Sequence, residues 1–211
     1  MSRYELNSKY ILKTDNYSLA VDLSNVKSYL KVDTTTDDDL ITALIKTATK
    51  LVEGYTRREL LNKVFTMYLD FFPFGRMHGN TVESNFNNYT IQVKRSKLQS
   101  ISSIKYYSNE ILTTLDPTLY DFSIDNDYSR IYLIDSNSTF PETDERKQAV
   151  EIEFIAGYGV SNTLIPDALK TAIKIIVTYM YENRGDCVSG SELIMLSGAS
   201  VILDMYKILE I

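Results

Sequence analysis

The chain has 211 residues, 44% of them hydrophobic, with 28 acidic against 22 basic side chains and a formal net charge of −6. That length and apolar content can bury a real core, as one large domain or two small ones, while the acidic balance argues against affinity-driven binding to a phosphate backbone. A single cysteine, Cys187, and a single histidine, His78, exclude an internal disulfide framework and leave too few soft ligands for a zinc site.

The opening MSRYELNSKYILKTD carries charge at Arg3, Glu5 and Lys9 and no apolar stretch of signal-peptide length. No apolar run nears the roughly 20 residues that span a bilayer, so the expectation is a soluble protein made in a cytoplasm, with no membrane partner. Residues 24–31, SNVKSYLK, read as a short helix capped by Ser24. The next stretch has Leu40, Ile41, Leu44, Ile45, Ala48, Leu51, Val52 and Tyr55 on one helical face. Asp37, Asp38 and Asp39 open this helix. Three adjacent carboxylates invite a magnesium site and a metal-dependent hydrolase, but consecutive helical side chains point about 100° apart and do not converge on one ion. Capping and favourable charge at the positive helix end account for them better.

From Lys63 the period becomes two. Phe65, Met67, Leu69 and Phe71 alternate with Thr66, Tyr68 and Asp70, the pattern of a half-buried strand over 63–71. Residues 72–88, FPFGRMHGNTVESNFNN, read as a long exposed loop that contains His78. YTIQVKR, SISSIKYYS, LYDFSID, SRIYLID and AVEIEFIAG then repeat as short strands broken by turn residues. The expectation is an antiparallel unit of five or six strands, with Val150, Ile152 and Phe154 inward and Glu151 and Glu153 outward. Beyond it, Pro166 sits in a first helical turn, and Leu169, Ala172, Ile173, Ile176, Val177 and Met180 form an apolar stripe that Ile175 and Tyr179 widen. Gly185 ends that helix, and a final helix is expected at about 199–210, with Ile202, Met205, Tyr206 and Leu209 on one face.

The fold class expected is α+β: a helical core from residues 1–62 and 158–211, with a small antiparallel β unit, 63–157, inserted in it. Phosphate-binding loops, HExxH, GxSxG and CxxC are absent from the sequence. GYG at 157–159 is separated from the next helix by Val160 to Ile165 and reads as a turn. Glu151 and Glu153 resemble a glycosidase pair only in spacing, and the basic cluster Lys94, Arg95 and Lys97 fits a solvated strand end. Sixteen tyrosines suit a protein interface or, as the alternative reading, a β-sheet carbohydrate- or ligand-binding module with helical flanks.

Four ordered segments, LSNVKSYLKVDTTTDDDLITALIKTATKLVEGYTRREL (23–60), LQSISSIKYYSNE (98–110), VEIEFIAGYG (150–159) and IPDALKTAIKIIVTYMYENR (165–184), resemble the head-tail connector proteins of tailed bacteriophages, also called portal adaptors, in their longer form. The chain departs from the family pattern at Arg57 or Arg58, where the turn usually has Gly, and in the long loop 72–88. The resemblance implies a helical core with an inserted β unit, no enzymatic activity and no cofactor. It also implies assembly as a ring of about twelve subunits (a 12-mer) in the virion neck, with heterologous contacts between neighbours. Its partners would be the portal protein above and a stopper or tail-completion protein below, with DNA passing through the channel without sequence-specific binding. It points to Tyr206, Lys207, Leu209 and Ile211 as portal-facing. Ile175 and Tyr179, on the flank of the wide stripe, are the expected contacts with a neighbouring subunit.

Overall fold

A computed structural model of the protein describes residues 8–73, 77–78, 81–82, 90–95, 97–124, 129–135, 138–185 and 189–208. The chain divides into two compact units, Met1–Asp15 with Lys63–Ala156 and Asn16–Asn62 with Gly157–Ile211.

The first unit is β. Its strands are β1 (Lys9–Thr14), β2 (Lys63–Leu69), β3 (Met77–His78), β4 (Thr81–Val82), β5 (Ile91–Val93), β6 (Leu98–Ser108), β7 (Ile111–Thr114), β8 (Tyr120–Ile124), β9 (Ser129–Leu133) and β10 (Val150–Ala156). β1, β2, β10, β6 and β7 form a five-stranded sheet in that order, β5, β9 and β8 a three-stranded one, and β3 pairs with β4; every pairing is antiparallel. The alternation of β10 sets the core. Val150, Ile152 and Phe154 are buried and face Leu69, Met67 and Phe65 on β2. Ile91 and Ile131, opposite each other in the smaller sheet, join the same apolar cluster.

Two strands of the larger sheet lie outside the sequence reading. β1 belongs to the β unit, whereas residues 1–62 were assigned as a whole to the helical core. Its residues are nearly all exposed because it is an edge strand, so the apolar alternation that marks a half-buried strand is missing. β7, ILTT, is likewise an exposed edge. Most of the loop expected at 72–88 lies outside the described residues. Thr66, placed on the polar face of β2, is buried, and its hydroxyl has no hydrogen-bond partner.

The second unit is helical: α1 (Leu23–Leu30), α2 (Asp38–Thr56), α3 (Asp167–Glu182), α4 (Gly190–Leu196) and α5 (Ser200–Leu203). Ile41, Ile45, Ala48 and Val52 of α2 and Leu169, Ala172, Ile173, Ile176 and Val177 of α3 fill one core, and Ile175 packs against it from a half-buried position. Several helix ends differ from expectation. α1 starts after Asp22, not Ser24; the Asp22 carboxylate accepts from the Asn25 and Asn162 side chains and leaves α1 without a side-chain cap. Pro166 stands at the cap position of α3, which ends at Glu182, before Gly185. The helix expected at 199–210 is only α5. After Leu203 the chain is taken up by tertiary contacts: the Tyr55 hydroxyl donates to Asp204, Arg58 donates to the Tyr206 carbonyl, and the Ile208 N–H donates to the Thr56 carbonyl. Ahead of it lies α4, unforeseen because Leu193 to Leu196 form an unbroken apolar run without helical period. Its start is legible in retrospect. Ser189 accepts from the Glu192 N–H, and SGSE is a capping box in sequence.

Candidate interaction surfaces

The AGYG turn follows β10. Tyr158 N–H donates to the Leu60 carbonyl and Asn62 N–H to the Gly159 carbonyl, so the turn is laced to the chain that leaves α2. Gly157 has φ +148, and a Cβ there would sit 2.6 Å from the backbone of Leu61 and Asn62. The close approach, rather than a phosphate, explains the glycine.

Beside it, the turn YTRREL buries charge. Arg57 takes the left-handed conformation, which favours Gly, and Glu53, Arg58 and Glu59 are buried. The Glu53 carboxylate accepts from the Leu60 N–H, which satisfies a buried backbone donor just past the end of α2. Arg58 ties this turn to the C-terminal segment through the Tyr206 carbonyl.

The three aspartates at the start of α2 separate. The Asp37 carboxylate accepts from the Tyr181 hydroxyl and from Arg184, and Asp38 pairs with Lys27 at 2.6 Å, while Asp39 stays exposed. No cluster of metal-ligating side chains occurs among the described residues. Hydrogen bonding from Tyr181, helped by the Arg184 charge, holds the Asp37 carboxyl below its ordinary pKa, against the opposing effect of burial. A depressed carboxyl pKa stabilises the fold above the unfolded value, and that stabilisation is lost as pH falls through the folded one. Asp37→Asn is therefore expected to lower the melting temperature at pH 7, with the gap to wild type closing below about pH 4. A thermal-melt series from pH 7 to 2.5 tests this, and a gap that persists at the acid end contradicts it.

Three tyrosines of the β unit serve its core rather than a sugar platform. Tyr10 and Tyr106 pack against the β core, and Tyr120 is buried within it. An open groove of about 840 Å³ runs between residues 70–73 and 140–147, but its rings face each other: Phe72 and Phe140 stack at 4.8 Å. Their faces are not offered to a ligand.

Among the portal-facing candidates, Tyr206 is half-buried on the helical core and Lys207 is exposed, its ammonium 4.6 Å from the centre of the Tyr55 ring. Leu209 and Ile211 lie outside the described residues, as does Cys187. Tyr179 is half-buried on α3, and its carbonyl accepts from Asn183. The α4–α5 segment adds side chains outside the expected portal-facing set. Met195, Leu196, Val201 and Met205 are 62, 55, 76 and 79% exposed, an apolar content unusual for a solvent-facing helix pair and typical of a docking surface. Met205, expected on the apolar face of a helix over 199–210, lies beyond the end of α5 and is exposed instead.

Residues 20–208 match the family model described as "Head completion protein". The chain belongs to the head completion protein family. No curated protein matches it in sequence. Among solved structures it is similar to a chain from the "Neck of empty GTA particle computed with C6 symmetry", at 17% identity over 96% of this chain and 97% of that one, with a TM-score of 0.73. It is also similar to chains from the "Virion of native gene transfer agent (GTA) particle" (16% identity, 98% and 97% covered, TM-score 0.71) and from the "Neck of native GTA particle computed with C12 symmetry" (16%, 97% and 96%, 0.68). At such identities these likenesses concern the fold, and they cover it from end to end. The α+β class expected from the element order holds. No helix among the described residues is long and apolar enough to cross a membrane.

Proposed function

We propose that this protein is a structural component of the virion neck, a head-tail connector that assembles as a ring of about twelve copies under the portal, extends the DNA channel and receives the stopper or tail. The observation that carries this reading is the family match over residues 20–208. The near-complete likeness to chains of necks with C6 and C12 symmetry supports it. In this reading the α4–α5 segment, with Tyr206, Lys207, Leu209 and Ile211, meets the portal, and Ile175 and Tyr179 lie toward a neighbouring subunit. The net charge of −6 suits a conduit wall, since tight DNA binding would oppose passage.

Negative-stain imaging of the protein co-expressed with its portal is expected to show a ring of uniform copy number seated on it. Met205→Asp is expected to abolish this binding while changing fold stability by no more than about 0.5 kcal/mol, as for other exposed positions. A protein that stays a strict monomer and never binds portal overturns the proposal.

A further inference from the structure

The two edges of the five-stranded sheet differ in charge. At the β1 edge Lys9 is exposed, and the Lys94 N–H donates to the Tyr10 hydroxyl, which brings exposed Lys94 alongside; Arg95 lies 5.8 Å from the centre of the Tyr10 ring, while Lys13 reaches inward to pair with Glu153 of β10. At the β7 edge the charge is mainly acidic. Asn109 and Glu110 form the two-residue β6–β7 turn with positive φ, and the Asp144 carboxylate accepts from both their N–H groups at 2.8 Å. That pair of bonds fixes the 142–145 segment, with exposed Glu142 and Glu145, against the hairpin tip. Of the bases there, Arg146 stacks over Tyr107 at 3.7 Å and Lys147 is exposed.

Each edge also presents an apolar pair, Ile11 with Leu12 on β1 and Ile111 with Leu112 on β7, all more than 40% exposed. β7 carries no charge and no proline, the features that ordinarily guard an open sheet edge. An apolar centre within a charged rim is the anatomy of a protein interface. The complement of either edge, in both charge and apolar content, is the other edge of the same sheet.

We infer that the β1 edge of one copy docks on the β7 edge of the next, apolar pair against apolar pair, inside a rim of opposite charges. The contact is heterologous, so it propagates from copy to copy and closes as a ring when the rotation allows. This inference rests on the ring reading above and assigns one of its subunit contacts.

The test uses rings on portal, imaged as before, with two edge variants, Lys9→Glu with Lys94→Glu and Glu110→Lys with Glu145→Lys. All four positions are exposed, and circular dichroism melts are expected to match wild type. Each edge variant alone should reduce the ring population at least about tenfold, because like charges then face each other. The chain carrying all four changes should regain it, since its two edges are again opposite. Rings that form equally well with either single-edge variant, or a four-fold variant no better than the single-edge ones, overturn the edge contact and leave the ring reading standing. Failure of the wild-type chain to form any ring on portal overturns the ring reading itself, and the edge contact with it.

Discussion

Gly157→Ala is expected to destabilise the protein by about 3 kcal/mol, from left-handed strain and overpacking together. For a chain of this size that corresponds to a melting temperature lower by roughly 6–12 °C. The neighbours of the new Cβ are the carbonyl group of Leu61 and the N–H of Asn62, both at 2.6 Å and both backbone. They cannot rotate away, and moving them would break the bonds from Asn62 to Gly159 and from Tyr158 to Leu60. Gly159→Ala is the matched control. It shares the positive φ, at +158, but its Cβ would meet the Leu164 side chain rather than backbone, and that side chain is 58% exposed and can shift, so the cost is expected at about 1–2 kcal/mol, mostly backbone strain. Urea unfolding of both variants, followed by circular dichroism, decides the matter: equal costs would mean that the turn is not held by backbone approach.

Phe154→Ala is expected to cost about 4 kcal/mol. Phe154 is fully buried at the centre of the β core, stacked on Phe65 at 5.8 Å and met edge-on by Tyr10 at 6.3 Å. Neither ring can close the space left behind. Phe65 is fixed by its register opposite Phe154 on β2, and Tyr10 is held by the hydrogen bond between its hydroxyl and the Lys94 N–H. The cavity therefore stays open, which places the loss toward the upper part of the large-to-small range. Phe154→Leu refills part of the volume and should recover about half of the loss. An alanine variant within about 1 kcal/mol of wild type would show that the core collapses around the site.

The parts of the fold legible in sequence were those whose burial follows one period. α2 and α3 each bury a single stripe, and β10 alternates without a break, so hydrophobic spacing placed all three. The parts that escaped are ruled by something periodicity does not contain. β1 and β7 are edges exposed on both faces, and only their partners β2 and β6 make them strands. The Asp22 start of α1 depends on Asn162, 140 positions away. Similarly, α5 ends early because Tyr55, Thr56 and Arg58 capture the residues after it.

The candidate surface was legible in part for the same reason. Tyr206 and Lys207 stand out by proximity to the chain end in a resembling family, whereas Met195, Leu196 and Val201 become candidates only through their exposure, as does Met205, whose helical spacing points to a buried face. For Asp37 to Asp39, helix geometry predicts that they diverge, and they do, Asp37 toward Tyr181 and Asp38 toward Lys27, but the expected side-chain cap is absent because Asp37 is engaged by Tyr181 instead.

Neither compact unit is a continuous piece of chain, and this gives synthesis a direction. Asp167, the first residue of α3, follows Thr56, the last of α2, by 111 positions. At about 5–20 residues per second a ribosome delivers α3 roughly 6–22 s after α2. All strands of the β unit have been made by Ala156, before any residue of α3 exists. Translation order thus makes the inserted unit the first that can be finished, and leaves the apolar faces of α1 and α2 waiting together for α3.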